Sequence, residues 1–172
     1  ETYYWKIIEV NQVASPSSWE GDLWSFSTAQ YLVIDDFESY ADAVGNRVFQ
    51  TWNYGFGYTE PAPGYAGNGT GSAIGNATTP FMESVILHGG KQSVPFSYSN
   101  TGAAGKARCS ETQRTWTVPQ DWTRNGVKAL TLWFYGDPNN SAEPLYVALQ
   151  DSLGKIKVVV HDDPGAVQLT GW

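Results

Sequence analysis

Apolar and polar residues alternate with a period of two along most of this chain, the spacing of half-buried strands. Tyr3, Trp5 and Ile7 share one face of an expected strand over residues 3–10. A second strand is expected over residues 23–28, and residues 11–22, with Pro16 and Gly21, suit the hairpin loop between them. A third, at residues 31–34, runs into the acidic run Asp35-Asp36-Phe37-Glu38. The pattern returns at residues 82–87, 92–98, 108–118, 129–135, 145–151 and 155–161, with Leu153-Gly154 marking a turn between the last two. Phe37, Tyr40, Ala41, Val44 and Val48 have helical spacing, but Gly45 and Asn46 interrupt them, so one or two helical turns at most are expected there. Residues 61–80 carry five glycines and three prolines and read as a long loop. Many short strands separated by turn residues predict an all-β chain, an antiparallel β-sandwich.

Composition narrows the picture. The chain has 172 residues, long enough for a full hydrophobic core, and is 41% hydrophobic, 15% aromatic and 16% charged. So many aromatics with so little charge exclude intrinsic disorder and long coiled coils. No stretch of apolar residues is long enough to span a bilayer. The net charge is −7, and the Lys and Arg residues are scattered, which argues against nucleic acid as a partner. The single cysteine, Cys109, permits no disulfide within the chain and reads as a small buried hydrophobe. Residues 1–30 form one unit and residues 31–172 another. Two strands and a loop cannot bury both of their faces, so the first unit needs the second, or another chain.

Two groups of residues carry candidate chemistry. Trp52, Tyr54, Phe56, Tyr58 and Tyr65 lie in a glycine-rich stretch, and Trp133, Tyr135 and Tyr146 alternate with aliphatic positions on two expected strands. Flat rings of this kind stack on the C–H faces of sugars. With Gln150, Lys157, His161 and Arg114 as polar partners they would line a glycan cleft. The competing use of these rings is ordinary packing between sheets. Asp35, Asp36 and Glu38 offer oxygens to a structural Ca2+, or serve as solvated acids at a strand end. Paired carboxylates for glycoside hydrolysis could be drawn from Asp137 and Glu143, or from Asp151, Asp162 and Asp163, yet these sit in turn sequences where Asp belongs for backbone reasons. No nucleophile elbow, phosphate loop or zinc spacing occurs, so no catalytic role is expected.

Thr2-Tyr3-Tyr4-Trp5-Lys6-Ile7 followed by Trp24-Ser25-Phe26-Ser27-Thr28 resembles the last two strands of a fibronectin type III domain. Residues 33–172 resemble a jelly-roll carbohydrate-binding module of the galactose-binding-like class, nearest to family 11. The matching residues are Asp35-Asp36-Phe37-Glu38, Trp52, His88-Gly89-Gly90-Lys91-Gln92-Ser93, residues 130–137 and residues 145–151. The resemblance implies an extracellular or cell-surface module that binds a β-glucan-like polysaccharide through Trp52, Tyr54, Tyr58, Trp133, Tyr135, Tyr146, Gln150 and His161, with calcium near Asp35. It also implies that the first domain lacks its earlier strands and the second its last ones. The alternative expectation is a structural subunit of a surface layer or fibre, self-associating through open sheet edges.

Overall fold

The computed structural model describes residues 2–27 and 31–172. Among them the chain is built from short strands, with helix confined to four 3-10 turns of three residues each. It divides into two compact units: Glu1–Ile34 with Trp122–Lys128, and Asp35–Asp121 with Ala129–Trp172. The expected strand at residues 31–34 is not formed; the chain bends there instead.

The first unit is dominated by one long hairpin. Strand β1 (Thr2–Trp5) pairs with β4 (Trp24–Ser27), and β2 (Ile8–Val10) with β3 (Ser18–Glu20), all antiparallel. Two residues separate β1 from β2, whereas three separate β3 from β4, so the ribbon carries one extra residue and bends at that point. Gly21 N–H donates to the Ile7 carbonyl at 2.8 Å within the bend. Cross-strand pairing puts Tyr3 opposite Phe26, with rings stacked at 5.3 Å, and Trp5 opposite Trp24, at 5.4 Å. The alternate face pairs Thr2 with Ser27 through their hydroxyls, 2.8 Å apart. Over β1 and β4 one face is therefore wholly aromatic, and the other carries Thr2, Tyr4, Ser25 and Ser27. The expected loop 11–22 is shorter than anticipated, because Ser18-Trp19-Glu20 continues the ladder.

The second unit holds three further antiparallel ladders. These are β5 (Trp52–Asn53) with β8 (Gln113–Arg114), β6 (Ser72–Ile74) with β7 (Phe96–Tyr98), and β9 (Tyr146–Gln150) with β10 (Ile156–Val160). The last pair lies inside the two expected strands, and the Leu153-Gly154 turn is present with Gly154 N–H donating to the Asp151 carbonyl at 3.0 Å. Its core gathers Tyr40, Val48, Ile74 and Met82, with Phe37, Phe49, Trp52, Tyr54 and Val94 packed around them.

Strand β6 falls inside the stretch expected to be a loop. Its glycine-rich approach is a packing requirement. A Cβ on Gly71 would stand 1.8 Å from the Ser99 carbonyl oxygen, and one on Gly55 would stand 1.9 Å from that of Thr70. Backbones cross too closely here for any side chain. Elsewhere alternation did not produce ladders. In residues 82–87, Glu83 bridges Ser93, and its carboxylate then accepts the N–H groups of Ser84 and Val85, which turns the chain away from an extended path. Residues 129–135 form no ladder; backbone pairing begins after them, where Gly136 N–H donates to the Leu169 carbonyl at 2.7 Å.

Candidate functional site

Most of the residues expected to bind a ligand fall into three surroundings, all within the second unit. The first is centred on Asp35. Its Oδ2 accepts hydrogen bonds from Tyr40 Oη at 2.6 Å, Trp52 Nε1 at 2.9 Å and Arg114 Nη1 at 2.6 Å. Its Oδ1 accepts the Phe37 N–H at 2.9 Å, closing an Asx turn that directs the chain after the acidic run. The Asp35 side chain is 6% exposed and that of Arg114 25% exposed, so this is a largely buried ion pair surrounded by neutral donors. The Arg114 guanidinium also lies over the Trp116 ring, 4.9 Å from its centroid. Phe37 packs against both Trp52 and Tyr40. Burial, and then the hydrogen bond to Asp35, push the Tyr40 phenol up to about 12, with Arg114 partly opposing the shift. Trp52 thus spends its indole N–H on a buried carboxylate.

The three carboxylates at the head of this segment face different donors. Asp36 Oδ1 accepts the Glu38 N–H at 3.0 Å. Glu38 reaches across to the turn after His88, where both of its oxygens accept the Lys91 N–H at 3.0 Å and Oε1 also accepts that of Gln92 at 3.3 Å. Gln92 returns the tie, its side-chain amide donating to the carbonyls of Phe37 and Tyr40. These hydrogen bonds join segments 35–38 and 88–93 in the folded chain. Among the described residues, no group of three or more His, Cys, Asp or Glu side chains is arranged to hold a metal ion.

The second surrounding is the glycine-rich aromatic stretch. Tyr58 and Tyr65 form an antiparallel bridge with both backbone hydrogen bonds made, and their rings meet edge-on at 4.6 Å. Tyr54 Oη donates to the Gly57 carbonyl at 2.7 Å, and Tyr65 Oη donates to that of Trp52 at 3.3 Å. Burial raises the phenols of both Tyr54 and Tyr65. Tyr58, Thr59, Gly64, Tyr65 and Ala66 line a shallow, open depression of about 410 Å³.

The third surrounding is exposed. The His88 imidazole stacks on the Trp133 indole with centroids 3.9 Å apart and planes 19° from parallel. Trp172 meets His88 at 5.6 Å and Tyr135 at the same distance. Trp133 is 55% exposed, Tyr135 40% and Trp172 38%. Four rings from three distant stretches of chain therefore share one solvent-facing patch. His88 and Trp172 were not singled out from sequence as ligand contacts; neither lies on an alternating strand where the pattern could mark it.

The remaining expected contacts are scattered among local roles. Tyr146 Oη donates to Glu111 Oε1, and burial together with that bond raises its phenol. Gln150 is exposed beside the Leu153-Gly154 turn, its side-chain amide 3.4 Å from the Gly154 carbonyl. His161 meets Phe134 edge-on at 5.7 Å, and its Nδ1 accepts the Asp163 N–H at 3.1 Å. Asp137, Asp151 and Asp163 each accept backbone N–H groups within their own turns. Cys109 is a half-buried free thiol.

No protein-family model, curated protein or solved structure matches this chain.

Proposed function

We propose that the chain is a non-catalytic, extracellular carbohydrate-binding module with a jelly-roll-like second unit, and that it holds a β-glucan-like polysaccharide on the Trp133 patch. The observation that carries this reading is the exposed cluster of Trp133, His88, Tyr135 and Trp172. A rigid indole braced on one side by an imidazole suits the C–H face of a pyranose, and loses little side-chain entropy on binding. The hydroxyl of Tyr135 and the indole N–H groups supply polar edges nearby. The acidic net charge fits a neutral polymer better than an anionic one.

Affinity electrophoresis on soluble β-glucans tests this. Retardation of the native protein, lost in Trp133→Ala and weakened in Tyr135→Ala, supports it. Native protein that is not retarded by any neutral polysaccharide overturns it, as does unchanged retardation of Trp133→Ala. A structural calcium in this reading would draw on Asp36 and neighbouring carbonyls, because Asp35 is engaged with Arg114 and Glu38 with the Lys91 and Gln92 N–H groups. A rise in melting temperature on adding Ca2+, reversed by chelator, would support such a site, and no rise would remove it from the reading.

A further inference from the structure

Strand β10 presents an edge and an apolar face, made by Ile156, Val158 and Val160, that its own unit leaves open. All five of its residues are exposed, including Ile156 at 58%, Val158 at 48%, Val159 at 63% and Val160 at 52%. Strand β9 is the inner member of the pair, since Tyr146 and Val147 are half-buried and Tyr146 is tied to Glu111. The ladder's hydrogen-bonding phase follows from its two ends. Asp151 N–H donates to the Lys155 carbonyl at 3.0 Å, and His161 N–H donates to that of Leu145 at 2.8 Å. Backbone groups of 155, 157, 159 and 161 therefore face β9, and those of Ile156, Val158 and Val160 face outward. Among the described residues no strand pairs with that outer edge.

We propose that β10 pairs antiparallel with β10 of a second copy, making a four-stranded sheet around a two-fold axis at Val158. This goes beyond the glycan reading and does not depend on it. The phase suits the pairing: Val158 faces its own copy, and Ile156 faces Val160, each as a hydrogen-bonded pair. Charge selects the direction. Lys155 and Lys157 lie at the start of the segment and Asp162 and Asp163 just past its end. Antiparallel pairing sets the basic end of one copy beside the acidic end of the other, whereas parallel pairing would set like beside like. Exposed, apolar edge strands are templates for this kind of addition, and an isologous pair closes at two copies. Because only five residues a side take part, the association is weak and dependent on concentration.

Sedimentation of the whole chain over a wide concentration range tests the proposal. The mass is expected to rise toward twice that of one chain and no further. Val158→Pro removes an outward N–H and leaves the β9 ladder intact, so it should remain a monomer with an unchanged circular dichroism spectrum. Lys155→Glu with Lys157→Glu makes both ends acidic, and Asp162→Lys with Asp163→Asn makes neither end acidic while keeping the cap on Gly165. Each should fail to self-associate, and an equimolar mixture of the two should form a heterodimer. Native protein that stays monomeric throughout, a species larger than two chains, or a mixture that does not associate overturns the proposal. Should Val158→Pro lose its fold, the charge mixture decides the matter alone.

Discussion

Trp52 and Trp133 are the same residue in opposite circumstances. Trp52 lies beside the core, packed against Phe37, with its N–H donated to a buried carboxylate that also holds Arg114 and Tyr40. Trp133 is more than half exposed and stacks on the exposed His88 ring. Sequence places both in the same category, candidate stacking platforms for a sugar, although Trp52 lies in a glycine-rich stretch and Trp133 among aliphatic positions. What separates them is the partner: a buried charge fixes the first ring by stringent geometry, while a stack of exposed rings leaves the second available. An aromatic becomes structural here when its polar atom is needed by an ion pair.

The largest effect is expected at the ion pair. Asp35→Asn leaves the Arg114 guanidinium without its anion in a site where both groups are largely buried, so a loss of about 3–5 kcal/mol is expected from denaturant unfolding. Adding calcium should not restore it. Trp52→Ala comes next, at about 3 kcal/mol, from the lost ring volume and the donor withdrawn from Asp35. Should either variant melt like the native protein, Asp35 would not be the centre of the fold.

A smaller effect concerns pH. The Tyr40 phenol stands at about 12 in the folded chain against an ordinary value of 10.0. A raised acid favours its protonated form in the native state. The associated stability is therefore full below pH 10 and is lost as pH climbs from there through about 12. Tyr40→Phe loses a hydrogen bond to a carboxylate, about 1.5–3 kcal/mol at neutral pH, but its stability should fall less steeply over that alkaline window. An identical slope for both proteins would mean that Tyr40 is not the titrating group.

The strand-rich character of this chain was legible, and so was the hairpin of β9 and β10, because clean alternation around Leu153-Gly154 leaves few other foldings. The aromatic face of β1 and β4 was legible for the same reason. Long-range partners were not. Nothing in the local pattern joins Asp35 to Arg114, or Glu38 to the Lys91 turn, since those ties link residues far apart in sequence. Gly55 and Gly71 carry an ambiguous signal: glycine marks a turn locally, but here it permits two backbones to cross, so β6 forms where the local pattern predicts a loop. At Glu83 the side chain captured the N–H groups that a continuing strand would have used. For the candidate site, alternation sets Trp133 and Tyr135 apart from an inward Leu132, but residues 129–135 form no strand and Leu132 is itself 49% exposed; His88 and Trp172 join the two rings only through tertiary structure.

The smallest expected change in stability is the sharpest test of the comparison. Trp133→Ala removes a ring that is 55% exposed and makes no hydrogen bond to a buried charge, so it should cost under about 1 kcal/mol. Against that small loss, retention by a β-glucan should disappear. Trp52→Phe is the companion: it keeps a ring against Phe37 but withdraws the donor from Asp35, costing about 1–2 kcal/mol while leaving retention intact. Measured together, the two variants dissociate folding from binding in opposite directions. If Trp133→Ala instead unfolds the chain, its patch is a packing surface. If Trp52→Phe abolishes retention without loss of stability, the ring beside Asp35 is the platform, and the contrast between the two tryptophans is reversed.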